Sequence, residues 1–248
     1  RMTCRRAAAA PPIREEIHRV AVGEQKLALV LHLPARLPAP CLVACHGLAA
    51  SKNSEKYLLL GREFPRAGLA LCRFDFRGSG ESDGVYAGST VAGRIADLEA
   101  VLDFLAKRPA LNRRFGLLGS SMGGFVALHV AARRCPAMPV VTWNAPATLR
   151  GLLRSTAEDV AGLGRAFFDE LATAALADTP TGVAFSLTIQ AERDEVVPPS
   201  HGQILFDRAA EPKELHVLKG ADHRLSDMVH RMEAVSLSLD WLGRHLKR

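Results

Sequence analysis

Gly119-Ser120-Ser121-Met122-Gly123 is the stretch of sequence that decides the fold. It follows the apolar run 115–118 and precedes a helix-like stretch, residues 124–134. A Gly-x-Ser-x-Gly motif between a strand and a helix is typical of a tight turn that lifts one serine hydroxyl above a sheet. The motif therefore predicts that Ser121 is a nucleophile.

Two later segments supply the acid and the base that a serine nucleophile requires. The strand-like run 183–189 leads to a loop that contains Asp194, and the run 215–218 leads to a loop that contains His223. A serine hydroxyl is a weak nucleophile until an imidazole removes its proton, and the imidazole needs a carboxylate to fix its tautomer. The order serine, aspartate, histidine along the chain thus predicts a catalytic triad.

Other residues of the same chemical types lie near these positions. Glu192, Glu195 and Asp222 are carboxylates in the two loops and compete with Asp194 as the acid. Among the other histidines, His46 is the serious alternative to His223 because it lies in a loop after a predicted strand, 41–45. Residue type alone leaves these alternatives open.

Five motifs in this order resemble the α/β-hydrolase superfamily, in its small cinnamoyl/feruloyl esterase-like and prolyl-oligopeptidase-like branch. The resemblance covers residues 15–247, and its motifs are 46–48, 73–82, 119–123, 194–198 and 220–223. It implies an α/β fold with a mostly parallel central sheet, helices on both faces and a small helical cap. The alternation of strand-like and helix-like segments agrees, with residues 16–22 and 26–33 predicted as an antiparallel hairpin.

The resemblance also implies a role for individual residues. The segment Asp194-Glu195-Val196-Val197-Pro198 matches the family's acid loop and favours Asp194, and the family's His-Gly pair favours a supporting role for His46 and Gly47. The family's oxyanion hole, carried over, consists of the backbone N–H groups of Leu48 and Met122. We therefore expect Ser121, Asp194 and His223 to be catalytic.

Composition and charge agree with one enzyme domain. The chain has 248 residues, 48% of them apolar, which is enough to bury one large core in residues 13–248, with 1–12 as a tail. The net charge of +6 is dispersed and only 6% of residues are aromatic, so we expect no nucleic-acid partner. No apolar run approaches the ~20 residues of a membrane span. Five cysteines without metal-like spacing favour a cytoplasmic location and no metal site.

The interval 146–180 interrupts the alternation of strands and helices. Its apolar residues lie among charged ones without a strand pattern, so we interpret it as a cap insertion over the active site; an ordinary crossover helix is the alternative. Phe167 and Phe168 in this interval are candidate substrate-binding residues.

The expected function is that of a serine carboxylesterase for small-molecule acyl or aryl esters, acting through an acyl-enzyme without a cofactor. A thioesterase or a peptidase would use the same triad, and a non-catalytic ligand-binding protein would use the same fold. A monomer and a homodimer are both compatible with the sequence.

Overall fold

The computed structural model describes residues 13–135, 137–151, 160, 162–172 and 174–246. They form an eight-stranded sheet with helices against both faces. The strands are β1 (Arg14–Val22), β2 (Gln25–Leu33), β3 (Ala39–Cys45), β4 (Ala70–Phe74), β5 (Leu111–Ser120), β6 (Val140–Trp143), β7 (Ser186–Ala191) and β8 (Lys213–Leu218). The helices of the described residues are α1 (Glu55–Arg66), α2 (Val91–Leu105), α3 (Met122–Arg134), α4 (Arg165–Leu171), α5 (Ala174–Ala177), α6 (Ser200–Arg208) and α7 (Met228–Leu246), and a 3₁₀ turn lies at Tyr86–Gly88.

The strand order of the sheet is β1-β2-β4-β3-β5-β6-β7-β8. The six strands from β3 to β8 run parallel, whereas β1 and β2 form the predicted antiparallel hairpin, and β2 pairs antiparallel with β4. Parallel strands end at the same edge of a sheet, so the loops that follow β3, β5, β7 and β8 lie on one side. The predicted fold class is confirmed.

The two faces of the sheet carry separate parts of the core. Successive side chains of a strand point to opposite faces, so Cys41, Val43 and Cys45 of β3 pack with α2 and α3. Leu42 and Ala44 pack on the other face, with α1 and α7. Because both faces are buried, the central strands are almost continuously apolar, which is why the sequence pattern of a parallel sheet was recognisable.

The turn between β5 and α3 is tighter than the sequence predicts. The apolar run ends at Leu118 and the predicted helix begins at Gly124, but β5 extends to Ser120 and α3 begins at Met122. The carbonyl of Ser121 accepts hydrogen bonds from the N–H groups of Gly124 (2.9 Å) and Phe125 (3.3 Å), which starts the helix immediately after the serine.

Gly123 allows the N-terminus of α3 to lie directly against the end of β3. A Cβ atom at this position would overlap the backbone carbonyl of Cys45, and a Cβ atom at Gly119 would overlap the backbone of Gly123. Neither neighbour is a flexible side chain that could move aside. The glycines of the motif are therefore required by the close approach of helix and strand.

We expect Gly123→Ala to lower the free energy of unfolding by about 3 kcal/mol, the upper end of the usual cost of overpacking, because the new methyl group has no space. Gly243→Ala is the matched control: Gly243 lies in α7, a Cβ atom there has no neighbour within 4 Å, and higher helix propensity should stabilise the protein by up to about 1 kcal/mol. Urea denaturation of both variants measures the two values. Equal stability of the two variants would contradict the packing argument.

Candidate active site

Ser121 is held in an unusual backbone conformation between β5 and α3. Its φ is 55° and its ψ is −127°. For a residue other than glycine this backbone conformation is unfavourable, and it persists only where the surrounding structure holds it. The N–H group of Ser121 donates a hydrogen bond of 2.9 Å to the carbonyl of Trp143 on β6. The conformation places Ser121 at the wall of a cavity above the carboxyl edge of the sheet.

Asp194 and His223 meet across the loops that follow β7 and β8. Both carboxylate oxygens of Asp194 lie 2.8 Å from Nδ1 of His223. Oδ1 also accepts hydrogen bonds from the N–H groups of Val196 (2.9 Å) and Val197 (2.7 Å), which fixes the carboxylate. A nitrogen that faces a carboxylate carries a proton, so Nε2 is the basic nitrogen of the ring.

The competing carboxylates bind backbone groups instead of the imidazole ring. Glu192 accepts a hydrogen bond from the N–H of Gly220 (2.8 Å), and Asp222 accepts one from the N–H of Ser226 (2.7 Å). Glu195 accepts one from the backbone N–H of His223 (3.2 Å). These contacts shape the loops around the Asp194 and His223 pair.

The cavity has a volume of about 830 Å³ and brings most of the predicted site residues together. Ser121, His223, Gly47, Leu48 and Met122 all line it. Gly47 lies directly beside the serine, since a Cβ atom on it would be 3.2 Å from Cβ of Ser121. Met122 is the first residue of α3, and the first N–H groups of a helix have no intrahelical acceptor. The N-terminus of α3 and the loop after β3 therefore converge on the serine.

His46 lies behind this loop, buried beneath the cavity wall. Its Nδ1 donates a hydrogen bond of 2.7 Å to the carbonyl of Gly47, and its Nε2 accepts one of 3.1 Å from the N–H of Phe76. This pattern requires a neutral ring, and burial, together with the nearby Arg94, lowers the pKa of His46 to about 4. The side chain thus orients the Gly47 peptide.

A family model described as serine aminopeptidase, S33 matches residues 37–172, more than half of the chain. The chain belongs to this family. Together with the sheet and the structural neighbours below, the match makes the protein a member of the α/β-hydrolase superfamily of serine hydrolases.

Known proteins resemble the chain in part of its sequence and in most of its fold. The mitochondrial palmitoyl-protein thioesterase ABHD10 of Rattus norvegicus is 33% identical over 95 residues, which are 38% of this chain and 30% of that protein. The structure of mouse ABHD10 superimposes with a TM-score of 0.77 at 20% identity, over 92% of this chain and 99% of that one. Est1E of Butyrivibrio proteoclasticus, solved with ferulic acid, gives 0.77 at 17% identity, over 91% and 99%. The chain spans 30–40% of the length of the first curated relatives that it matches.

Phe167 and Phe168 do not reach the cavity. Phe167 is completely buried in the core beneath the α2 and α3 face, and Phe168 packs against the same core, with the two rings 5.6 Å apart. Neither is among the described residues that line the cavity. An amphipathic helix buries its apolar residues whether it covers a core or a substrate, so the sequence could not separate these roles.

The interval 146–180 contributes to the cavity through other residues. Its described lining residues are Pro146, Thr148, Leu149, Gly151 and Val160. Residues 152–159, 161 and 173 of the predicted cap lie outside the described residues. Whether the interval is a cap insertion stays a prediction.

Several charged or polar residues that line the cavity were missed by sequence analysis. Lys56 at the start of α1 donates a hydrogen bond of 2.9 Å to the hydroxyl of Ser120, and Nδ1 of His201 accepts one of 3.0 Å from the N–H of Ala147. Arg231 of α7 forms an ion pair of 2.7 Å with Glu55. These residues belong to no motif, and the contacts connect distant parts of the chain, so no sequence signal could have identified them.

The part of the chain that the structure describes contains neither a metal-binding cluster nor a membrane-spanning helix. Its His, Cys, Asp and Glu side chains form no group that could hold a metal ion. None of its helices combines the length and the apolar character that crossing a bilayer requires.

We expect the protein to lose stability as the pH falls from about 6.5 to about 4 because of buried histidines. Burial lowers the pKa of His32, His46 and His129 to about 4, so in this range the unfolded chain binds more protons than the folded one. Each histidine can contribute a slope of up to about 1.4 kcal/mol per pH unit. The stability that these neutral histidines contribute is fully present above pH 6.5.

Urea denaturation between pH 7.5 and 4.5 measures this slope. His129→Gln, which removes one titrating group but keeps a polar side chain, should make the slope shallower. A wild-type free energy of unfolding that stays constant from pH 6.5 to 5 would refute the argument.

Proposed function

We propose that this protein is a serine hydrolase that cleaves carboxylic esters of small or medium acyl or aryl substrates through Ser121, His223 and Asp194. The observation that carries the proposal is the convergence on one cavity of a serine at a strained strand-to-helix turn and a histidine whose Nδ1 is held by a carboxylate. A cytoplasmic location stays a prediction, supported by the free, buried Cys41, Cys45 and Cys72.

The geometry supports a two-step mechanism. His223 Nε2 takes the hydroxyl proton of Ser121 as the oxygen attacks the acyl carbonyl, and Asp194 stabilises the imidazolium that forms. The N–H groups of Leu48 and Met122 receive the negative oxygen of the tetrahedral intermediate. When the intermediate collapses, the ester bond breaks and His223 returns the proton to the leaving alcohol. Water, activated by the same histidine, then releases the acid from Ser121.

The cavity wall suits an acyl or aryl group. Apolar side chains that line it are Leu48, Met122, Leu149, Val160 and Val197. A thioester is the bond that the thioesterase ABHD10 is named for, and it would react by the same steps. Removal of an amino-terminal residue, the reaction in the family's name, would bring a substrate ammonium group near the ammonium of Lys56, which repels it. The lining carboxylates Glu55 and Glu195 are already bound to Arg231 and to the N–H of His223. This arrangement disfavours the reaction.

Hydrolysis of p-nitrophenyl esters, from acetate to long acyl chains, tests the proposal. We expect turnover by the wild type and a loss of kcat by a factor of about 10⁴ or more in Ser121→Ala and about 10⁴ in Asp194→Asn, since the triad acts as a unit. Retained turnover in Ser121→Ala would disprove the assignment.

A fluorophosphonate label read by mass spectrometry identifies the nucleophile independently of the substrate. Ser120→Ala is the matched control, because Ser120 is the neighbouring serine of the same motif. The label should attach to Ser121 in the wild type and in Ser120→Ala, and be lost in Ser121→Ala. The absence of labelling in the wild type would favour a non-catalytic binding protein.

A further inference from the structure

Lys56 brings a positive charge into the cavity that the proposed mechanism does not use. It is the second residue of α1, and its side chain extends to the end of β5, where Nζ lies 2.9 Å from Oγ of Ser120. Ser120 immediately precedes the proposed nucleophile, and both serines and Lys56 line the cavity. The ammonium group therefore lies at the wall of the cavity that contains the proposed nucleophile.

The ammonium group of Lys56 has no carboxylate partner in the described part of the chain. No carboxylate oxygen of the described residues lies within 4.0 Å of Nζ, and its hydrogen-bond acceptor is the neutral hydroxyl of Ser120. Its other recorded neighbour is the ring of Tyr57, whose centroid lies 5.9 Å from Nζ. A lysine ammonium has three N–H donors, so two have no acceptor among the described residues. Charges that are removed from water are normally paired, which makes an unpaired ammonium at a cavity wall a candidate for binding a ligand.

The surroundings of Lys56 favour the arrival of a negative group. Burial, together with the positive charges of Arg231 and Arg224, lowers the pKa of Lys56 to about 8, against a weaker opposing effect of Asp222 and Asp194. These three positive charges repel one another, and a bound anion would offset the repulsion because it would attract all three. Perturbed groups of this kind, in a cavity, are typical of functional sites.

We propose that Lys56 binds a carboxylate on the substrate, so that the esterase prefers esters that carry one negative charge. This inference rests on the proposed function and names the substrate class of the same site. The carboxylate would accept hydrogen bonds from Nζ while Ser121 attacks the ester carbonyl, which makes Lys56 a specificity-determining residue.

The charges at the site match one negative charge. Arg231 is already paired with Glu55 at 2.7 Å and donates to the carbonyls of Leu225 and Ser226, so it has little capacity for a second partner. Arg224, which also lines the cavity, has a contact of its own, and the lining carboxylate Glu195 accepts a hydrogen bond from the N–H of His223. Lys56 supplies a positive charge that no carboxylate of the described residues pairs with. A phosphate monoester carries close to two negative charges at neutral pH, one more than a single ammonium compensates, whereas a carboxylate carries one. A carboxylate is therefore favoured over a phosphate.

Matched pairs of esters test the inference. In the first pair, mono-p-nitrophenyl glutarate carries a carboxylate on the acyl side, and p-nitrophenyl pentanoate is its neutral counterpart. In the second pair, 4-acetoxybenzoate carries the carboxylate on the leaving group, and 4-acetoxybenzamide is neutral. A hydrogen-bonded charge pair is commonly worth a factor of about 10–100 in binding, so wild-type kcat/KM should favour the carboxylate ester of one pair by about that factor. The pair that responds identifies the side on which the carboxylate lies.

In Lys56→Met we expect the ratio of kcat/KM within the responding pair to fall to about one, and in Lys56→Arg to be partly retained. Lys56→Gln serves as a second neutral variant should the methionine variant fail to fold. Lys107→Met is the matched control: Lys107 is an exposed lysine between α2 and β5, at the opposite edge of the sheet from Ser121, and its ratio should equal that of the wild type. A wild-type ratio near one in both pairs, or an unchanged ratio in Lys56→Met and Lys56→Gln, would overturn the inference.

A binding measurement separates this inference from the proposed function. Calorimetric titration of Ser121→Ala with each ester gives a dissociation constant that does not depend on turnover. Tighter binding of a carboxylate ester by a factor of about 10–100, lost in Ser121→Ala/Lys56→Met, would support the carboxylate site even if the wild type hydrolysed no ester. If the wild type hydrolysed esters and was labelled at Ser121, but charged and neutral esters bound equally well, the carboxylate site would be refuted and the proposed function would stand.

Discussion

The contact between Gly123 and the carbonyl of Cys45 is the constraint on which the geometry of the cavity depends. It places the N-terminus of α3 against the carboxyl end of β3, so the turn between β5 and α3 has no room for a wider connection. Ser121 consequently adopts a positive φ, held by its hydrogen bond to Trp143. The same approach brings the loop after β3 beside the serine, so the proposed nucleophile lies where this loop and the N-terminus of α3 meet.

A layer of buried polar residues holds that loop from below. Asp75, completely buried, accepts hydrogen bonds from the backbone and the ammonium of Lys52 and from the N–H of Glu81. His46 links the Gly47 carbonyl to the backbone of Phe76. The Arg-Phe-Asp-Phe-Arg-Gly-Ser-Gly motif thus supports the cavity without lining its main part. A neutral, fully bonded histidine suits this position, because a charged ring would lose one of its two hydrogen bonds.

The charges around the cavity are arranged asymmetrically. On one side, the carboxylate of Asp194 is bound by two backbone N–H groups and faces the imidazole of His223. On the other side, Lys56 contacts a neutral hydroxyl, and Arg231 contacts Glu55. Among the described residues, the carboxylate of Asp194 is thus committed to the histidine and that of Glu55 to Arg231, whereas Lys56 has no carboxylate partner.

The sequence by itself determined the class of fold, the position of Ser121, and the loops that carry an acid and a histidine. It could do so because these features depend on local requirements: glycines at a close approach, apolar runs for buried strands, and the order of residues along the chain. Only the tertiary structure decided which of four carboxylates faces His223, that Phe167 belongs to the core, and that Lys56 reaches the cavity. Each depends on contacts between segments far apart in sequence, such as the pair of Glu55 and Arg231, which the chain brings together only when the sheet forms.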